Sequence, residues 1–164
     1  MASLAAQVNR RIASARVILA ELAGAERTPF ARQALLEAVL FHLYCGYSHY
    51  LRELCAYYGV KSVASIKSAS DAALALKRLD KQPAEMSEIS ELAARPGSWL
   101  SQLAAGYQAC WASDSGVDAA ADNLIQVHHL DDQVLEALDE SLLVQWLAQM
   151  QALVERHRQS TTEY

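Results

Sequence analysis

From Thr28 to Gly59 the chain has no proline after Pro29 and one interior glycine, Gly46. Thr28-Pro29 reads as an N-cap followed by a first helical position, since threonine can accept from an unsatisfied amide and proline has no amide to satisfy. Nothing downstream stops the helix before Gly59, so it extends for about 30 residues, or about 45 Å. That is long for a globular helix. It forms the spine of the fold, and the other segments have to cover it.

Those segments also read as helices. Leu4, Val8, Ile12, Ala15, Leu19 and Leu22 recur at steps of three and four, the mark of one buried helix face, with Gly24 just past them. Val60 to Ser70 is broken and rich in Ser and Lys, which predicts a loop with one short turn. Ser70-Asp71 is placed to cap a helix carrying Leu74, Leu76 and Leu79, ended by Pro83. Met86, Ile89 and Leu92 make a shorter piece, closed by the turn signal Arg95-Pro96-Gly97. Ser98 caps a helix bearing Trp99, Leu100, Leu103, Tyr107, Cys110 and Trp111. Asp114-Ser115-Gly116 breaks the chain again, and Val117 to His129 fits either a helix or an extended segment. Leu135, Leu138, Leu142, Trp146, Met150, Leu153 and His157 carry a last helix to about Ser160. No run alternates β-branched residues, so no sheet is expected. The pattern predicts an all-α fold in a single domain over 1–164: an antiparallel bundle of four main helices with short additional ones.

Charge and composition narrow the function classes. Roughly thirty residues are alanine, the best helix former, while glycine and proline are scarce. A net charge of −5 argues against non-specific nucleic-acid binding, which needs a basic surface. The charge is divided: up to Lys81 Lys and Arg outnumber Asp and Glu, and from Gln82 onward the excess is strongly acidic. Complementary halves of this kind either pack on each other within one chain or meet across a homo-oligomer. Cys45, Cys55 and Cys110 are odd in number and widely spaced, which indicates neither a disulfide framework nor a zinc knuckle and fits a reducing cytoplasm. Arg10-Arg11 ahead of Val17-Ile18-Leu19-Ala20 resembles an export signal, but Arg16 and Glu21 cut the apolar run short. No run reaches the length of a membrane span. No cofactor, membrane or nucleic acid is expected.

The second helix carries the most suggestive side chains. At about 100° per residue, Ala38, His42, Cys45, Gly46, His49 and Glu53 fall within an arc of about 100°, opposite Leu36, Leu40, Leu43, Tyr47, Leu51, Leu54 and Tyr58. Imidazole, thiolate and carboxylate along one stripe are the donors a transition metal takes. One ion spans only about one turn, so Cys45/His49 or His49/Glu53 would need further ligands, and His128-His129 is the only other dense donor group. Gly46 and Ala38 on the same stripe equally predict the close approach of another helix. Cys45 lies one turn from both His42 and His49, as thiolate activation requires, yet an apolar helix surface raises a thiol pKa and no oxyanion-stabilising motif accompanies it. Tyr44, Tyr47, Tyr50, Tyr57 and Tyr58 line the same helix, where with Trp111 they predict packing, an interface, or a pocket for an apolar small molecule.

Bundle families with defined chemistry fail on spacing. Ferritin-like di-iron proteins need paired Glu-x-x-His motifs, and this chain has none. DinB-like metal hydrolases use His-x-x-x-His, which is also absent, as are the arginine–histidine spacing of HEPN nucleases and any phosphate-binding glycine loop. Glu37 to Tyr44, then Leu54-Cys55-Ala56-Tyr57-Tyr58, Ser98-Trp99-Leu100 with Gln102-Leu103, and Leu153 to Arg158 together resemble a small family of uncharacterised gammaproteobacterial proteins defined by a domain of unknown function. The resemblance runs in order over most of the chain. It implies a stand-alone, cytoplasmic, helical bacterial protein and supplies no activity or catalytic residues.

The leading expectation is a non-enzymatic protein acting through protein–protein contacts or self-association. The alternative is a metal-binding bundle, a hydrolase among its possibilities, using His42, Cys45, His49 and Glu53 with His128 or His129.

Overall fold

The computed structural model describes residues 3–111 and 135–162. Among these residues the chain is all-α, without a strand. The helices are α1 (Leu4–Gly24), α2 (Pro29–Tyr57), α3 (Ala69–Lys77), α4 (Ala84–Ala94), α5 (Trp99–Ala109) and α6 (Glu140–Thr162). A single 3-10 turn at Val63–Ser65 occupies the loop expected after Val60. Three helices are long, with 21, 29 and 23 residues, and three are short. The segment 117–130, for which helix and extended chain were both open, lies outside the described residues, as do His128 and His129.

Helix α1 buries Val8, Ile12, Ala15, Leu19 and Leu22, the face its periodicity predicted. Four residues later Thr28 caps α2, accepting from the Ala31 amide at 3.2 Å with Pro29 in the first turn. The two helices pack along each other as a hairpin. Helix α2 then meets α3, α5, α6 and the 3-10 turn as well. Its buried residues therefore extend round most of its circumference, from Leu36 and Leu40 through Tyr47 and Tyr50 to Leu54 and Cys55. A helix apolar on more than one side is one that neighbours enclose.

Several helix boundaries differ from the sequence reading. The first helix after the loop is capped by Ser68, not Ser70. Ser68 Oγ accepts from the Asp71 amide at 3.1 Å, while the Asp71 carboxylate accepts from the Ser68 and Lys67 amides, a capping box. Starting earlier, α3 also ends earlier: Lys77 is its last residue, and Leu79 stands exposed in the following turn. Pro83 opens α4 as its N-cap instead of closing the helix before it. The last helix begins at Glu140, where the Asp139 carboxylate accepts from the Leu142 amide at 2.8 Å. Leu135 therefore precedes α6, and Leu138 is buried ahead of its first turn.

Candidate functional site

The stripe on α2 faces the place where α1 and α6 close in. A Cβ added to Gly46 would lie 2.7 Å from Met150 Cε on α6 and 3.3 Å from Arg11 Cβ on α1. Helical neighbours of glycine in such a position share its narrow gap, so the polar side chains above and below it meet whatever crosses there. What crosses is Arg11. Its Nη1 lies 3.3 Å from His42 Nδ1, and its guanidinium sits 5.6 Å from the centre of the Phe41 ring. Because arginine only donates, His42 Nδ1 accepts and its proton resides on Nε2. Burial lowers the His42 pKa, and the Arg11 charge lowers it further.

Two turns on, His49 Nδ1 is buried with no hydrogen-bond partner, as is Arg11 Nε. Burial and then the charges of Arg52, Arg11 and Arg10 keep the His49 pKa low. Burial raises the Cys45 thiol, against a weaker pull from Arg11 and Arg52. Cys55, fully enclosed, is pushed up to about 11 by burial alone. Thiolates are thus disfavoured at both positions. Glu53 turns away from the histidines to form a two-pronged pair with Arg158 of α6, each N···O at 2.8 Å, and Arg158 reaches Asn9 of α1 at 2.9 Å. Among the described residues no three His, Cys, Asp or Glu side chains gather as a metal cluster.

A second polar system lies beyond Glu53. His157 of α6 is 4% exposed, the one charged or polar residue of the described core. Tyr50 Oη approaches its Nδ1 at 2.6 Å, and its Nε2 lies 2.8 Å from Glu88 of α4. A carboxylate accepts, so Nε2–H donates to Glu88 and Nδ1 accepts the Tyr50 hydroxyl proton. Glu88 also pairs with Arg156. Burial pushes the Glu88 carboxyl up, but the His157 hydrogen bond and the Arg156 charge outweigh it and leave the pKa below its ordinary value. Burial drives the Tyr50 phenol far upward, with the nearby Glu53 and Glu85 charges adding to it. Alongside, Glu85 accepts from both Tyr58 and Ser160, and Tyr57 donates to the Thr161 carbonyl. A cavity of about 80 Å³ between Tyr50, Glu53, Tyr57 and His157 is large enough for a few waters and little more. This chain of partners joins α2, α4 and α6. It is a clamp, and it keeps its proton donors inside the protein.

The third feature is aromatic. Tyr44 of α2 stacks on Tyr107 of α5 with ring centres 3.9 Å apart and planes 9° from parallel. Phe41 lies 6.5 Å and Trp111 6.1 Å from Tyr107, ring centre to ring centre. Phe41 is 42% exposed and Trp111 69% exposed, so the row opens onto the surface. Tyr47 touches Tyr44 edge-on from beneath and is buried.

A family model for a Family of unknown function (DUF6586) matches residues 1–164. The chain belongs to that family. No curated protein and no solved structure matches it. Within this DUF6586 member the residues singled out from sequence divide into separate settings. His42, Cys45 and His49 stay together beside Arg11 and Arg52, whereas Glu53 is held by Arg158. Tyr44 and Trp111 share the aromatic row, Tyr47 supports it from the core, and Tyr50 belongs to the His157 clamp. Sequence reading missed Arg11, Arg52, Glu88, Phe41 and Tyr107 as participants. It placed His157 on the buried face of the last helix, and a histidine among leucines was the available signal that a partner waited there.

Proposed function

We propose that this protein is non-enzymatic and acts by protein–protein contact, self-association included, with the Phe41–Tyr107–Trp111 row as the contact face. Aromatic side chains each bury about 150–250 Å² and dominate interface energetics. One observation carries the reading: Phe41 and Trp111 are large, exposed and joined through Tyr107 into a continuous surface. In this reading α1, α2, α5 and α6 serve as the main helices of an antiparallel bundle that holds the row rigid. The side chains most capable of chemistry support it too, since Tyr50, His157 and Glu88 are committed to one another. We place the protein in the cytoplasm, where its free cysteines stay reduced.

Size-exclusion chromatography with light scattering tests the contact reading on the wild type and on Phe41→Glu/Trp111→Glu. The expected result is a dimer that the double variant converts to monomer with its melting temperature retained. A wild-type monomer that captures no partner in a pull-down refutes it. Elemental analysis separates it from the metal-binding alternative, in which His42, Cys45, His49 and Glu53 share an ion with His128 or His129. Bound metal that is lost on His49→Ala would favour that alternative.

A further inference from the structure

Phe30 stands 86% exposed in the first turn of α2. It precedes Phe41 by eleven positions, which is three turns plus about 20°, so the two residues lie along one line of the helix about 16 Å apart. From Phe41 the exposed surface continues through Tyr107 to Trp111 on the side of α5. At the usual size of aromatic side chains, the uncovered parts of Phe30, Phe41 and Trp111 come to about 400 Å². That is half of the roughly 800 Å² each partner buries in a stable complex.

Two charges accompany these rings. Arg11 of α1 overlies Phe41, its guanidinium 5.6 Å from the ring centre, with Nη1 against His42. Glu37 lies one turn before Phe41 on α2, where its carboxylate accepts from Gln33 at 2.9 Å. Both are half-buried, and neither has an ion-pair partner among the described residues. Arg11 Nε is also buried without an acceptor. A surface that meets its own copy across a two-fold axis must be its own complement, with residue i facing j and j facing i. This face has that property, since an apolar centre is accompanied by one unpaired charge of each sign. An axis that exchanges Arg11 with Glu37 runs midway between them, beside Phe41, the residue that adjoins both. Two Arg11–Glu37 pairs then form at once across the contact. A foreign partner would have to supply both charges and the aromatic surface at the same spacing, which a second copy brings with it.

We propose that the aromatic face closes on a second copy of this chain, a proposal that rests on the contact function and supplies its partner and orientation. The dimer is two-fold, with Phe41 at the axis and Phe30 and Trp111 in the contact. Arg11 of each protomer pairs with Glu37 of the other.

Sedimentation equilibrium of the full chain gives the dimer dissociation constant. Glu37→Arg sets like charges together at both contacts and should weaken the dimer about tenfold or more, as should Arg11→Glu. An equimolar mixture of these two variants places opposite charges at both contacts. It should form a mixed dimer as tight as the wild type, captured through an affinity tag on one chain. Added salt should weaken the wild-type dimer and strengthen the Glu37→Arg dimer, because screening removes attraction from one and repulsion from the other. If Arg11→Glu fails to fold, Glu37→Arg and its reversed salt response carry the test. A wild-type dimer that Phe41→Glu/Trp111→Glu dissociates but Glu37→Arg leaves unmoved, in affinity and in salt response, overturns the two-fold pairing and leaves the contact function standing. So does a wild-type monomer whose aromatic row captures a different protein. A monomer that captures nothing overturns both.

Discussion

Replacing Gly46 with alanine sets two known effects against each other. In a helix interior alanine is favoured over glycine by about 1 kcal/mol. Here the new methyl would stand 2.7 Å from Met150 Cε, a distance at which one atom has to move. Met150 is 1% exposed, so its thioether end has no solvent to move into and must displace packed neighbours. Overpacking of this kind costs about 1–3 kcal/mol, and the variant should therefore lose up to about 2 kcal/mol net. In a Met150→Ala background the obstruction is gone. The same Gly46→Ala change should then stabilise by up to about 1 kcal/mol, trimmed by the 3.3 Å approach to Arg11 Cβ. Urea unfolding followed by far-ultraviolet circular dichroism on the four proteins gives the coupling directly. A Gly46→Ala penalty of equal size with and without Met150 would refute close helix approach as the reason for the glycine. So would stabilisation in the wild-type background.

Tyr50→Phe keeps the ring but removes the proton that His157 Nδ1 accepts, leaving a buried acceptor unpaired at a cost of about 1–3 kcal/mol. Urea midpoints measure this, and an unchanged midpoint would show that the clamp adds nothing. Stability should also fall in acid in two stages. His42 and His49 have pKa values below the ordinary 6.5 in the folded chain, so the unfolded chain binds more protons and stability declines as pH drops below about 6.5. Asp71, Glu85, Glu88 and Asp139 are likewise lowered, so their contribution is present above the ordinary carboxylate range and is lost as pH falls through it. A flat profile between about pH 7 and 5 would contradict the first stage.

Much of the helical layout was legible because it rests on local chemistry. The steps from Val8 to Leu22 dictate which side of α1 is buried, and Thr28-Pro29 and Ser98 start α2 and α5 through side-chain caps that need only three residues of context. The misplaced start of α3 is instructive on the same scale. Ser70-Asp71 is a good capping pair in isolation, but Ser68 stands three residues before Asp71 and so gains the reciprocal bond that Ser70 cannot make. The site was less legible because its partners come from other helices. Angular spacing correctly put His42, Cys45, His49 and Glu53 on one stripe. It could not show that Arg11 would cross between the histidines or that Arg158, 105 positions beyond Glu53, would take the carboxylate. Glu88 and His157 are 69 positions apart, and no periodicity links them.

The clamp at His157 also sets an order for folding. Helices α1 and α2 are joined by four residues, so their contacts, such as Arg11 with His42 at a separation of 31, close across a short loop. Tyr50 with His157, Tyr57 with Thr161 and Glu53 with Arg158 are each more than 100 positions apart. Bringing such ends together costs about 1 kcal/mol more in chain entropy than closing the hairpin, before any contact repays it. Loop-closure entropy therefore predicts that the hairpin assembles before α6 docks on it. Until α6 arrives, Gly46, Tyr50 and Leu54 form an open, half-finished face, and the three tyrosine- and arginine-mediated closures act as the latch that ends that exposure.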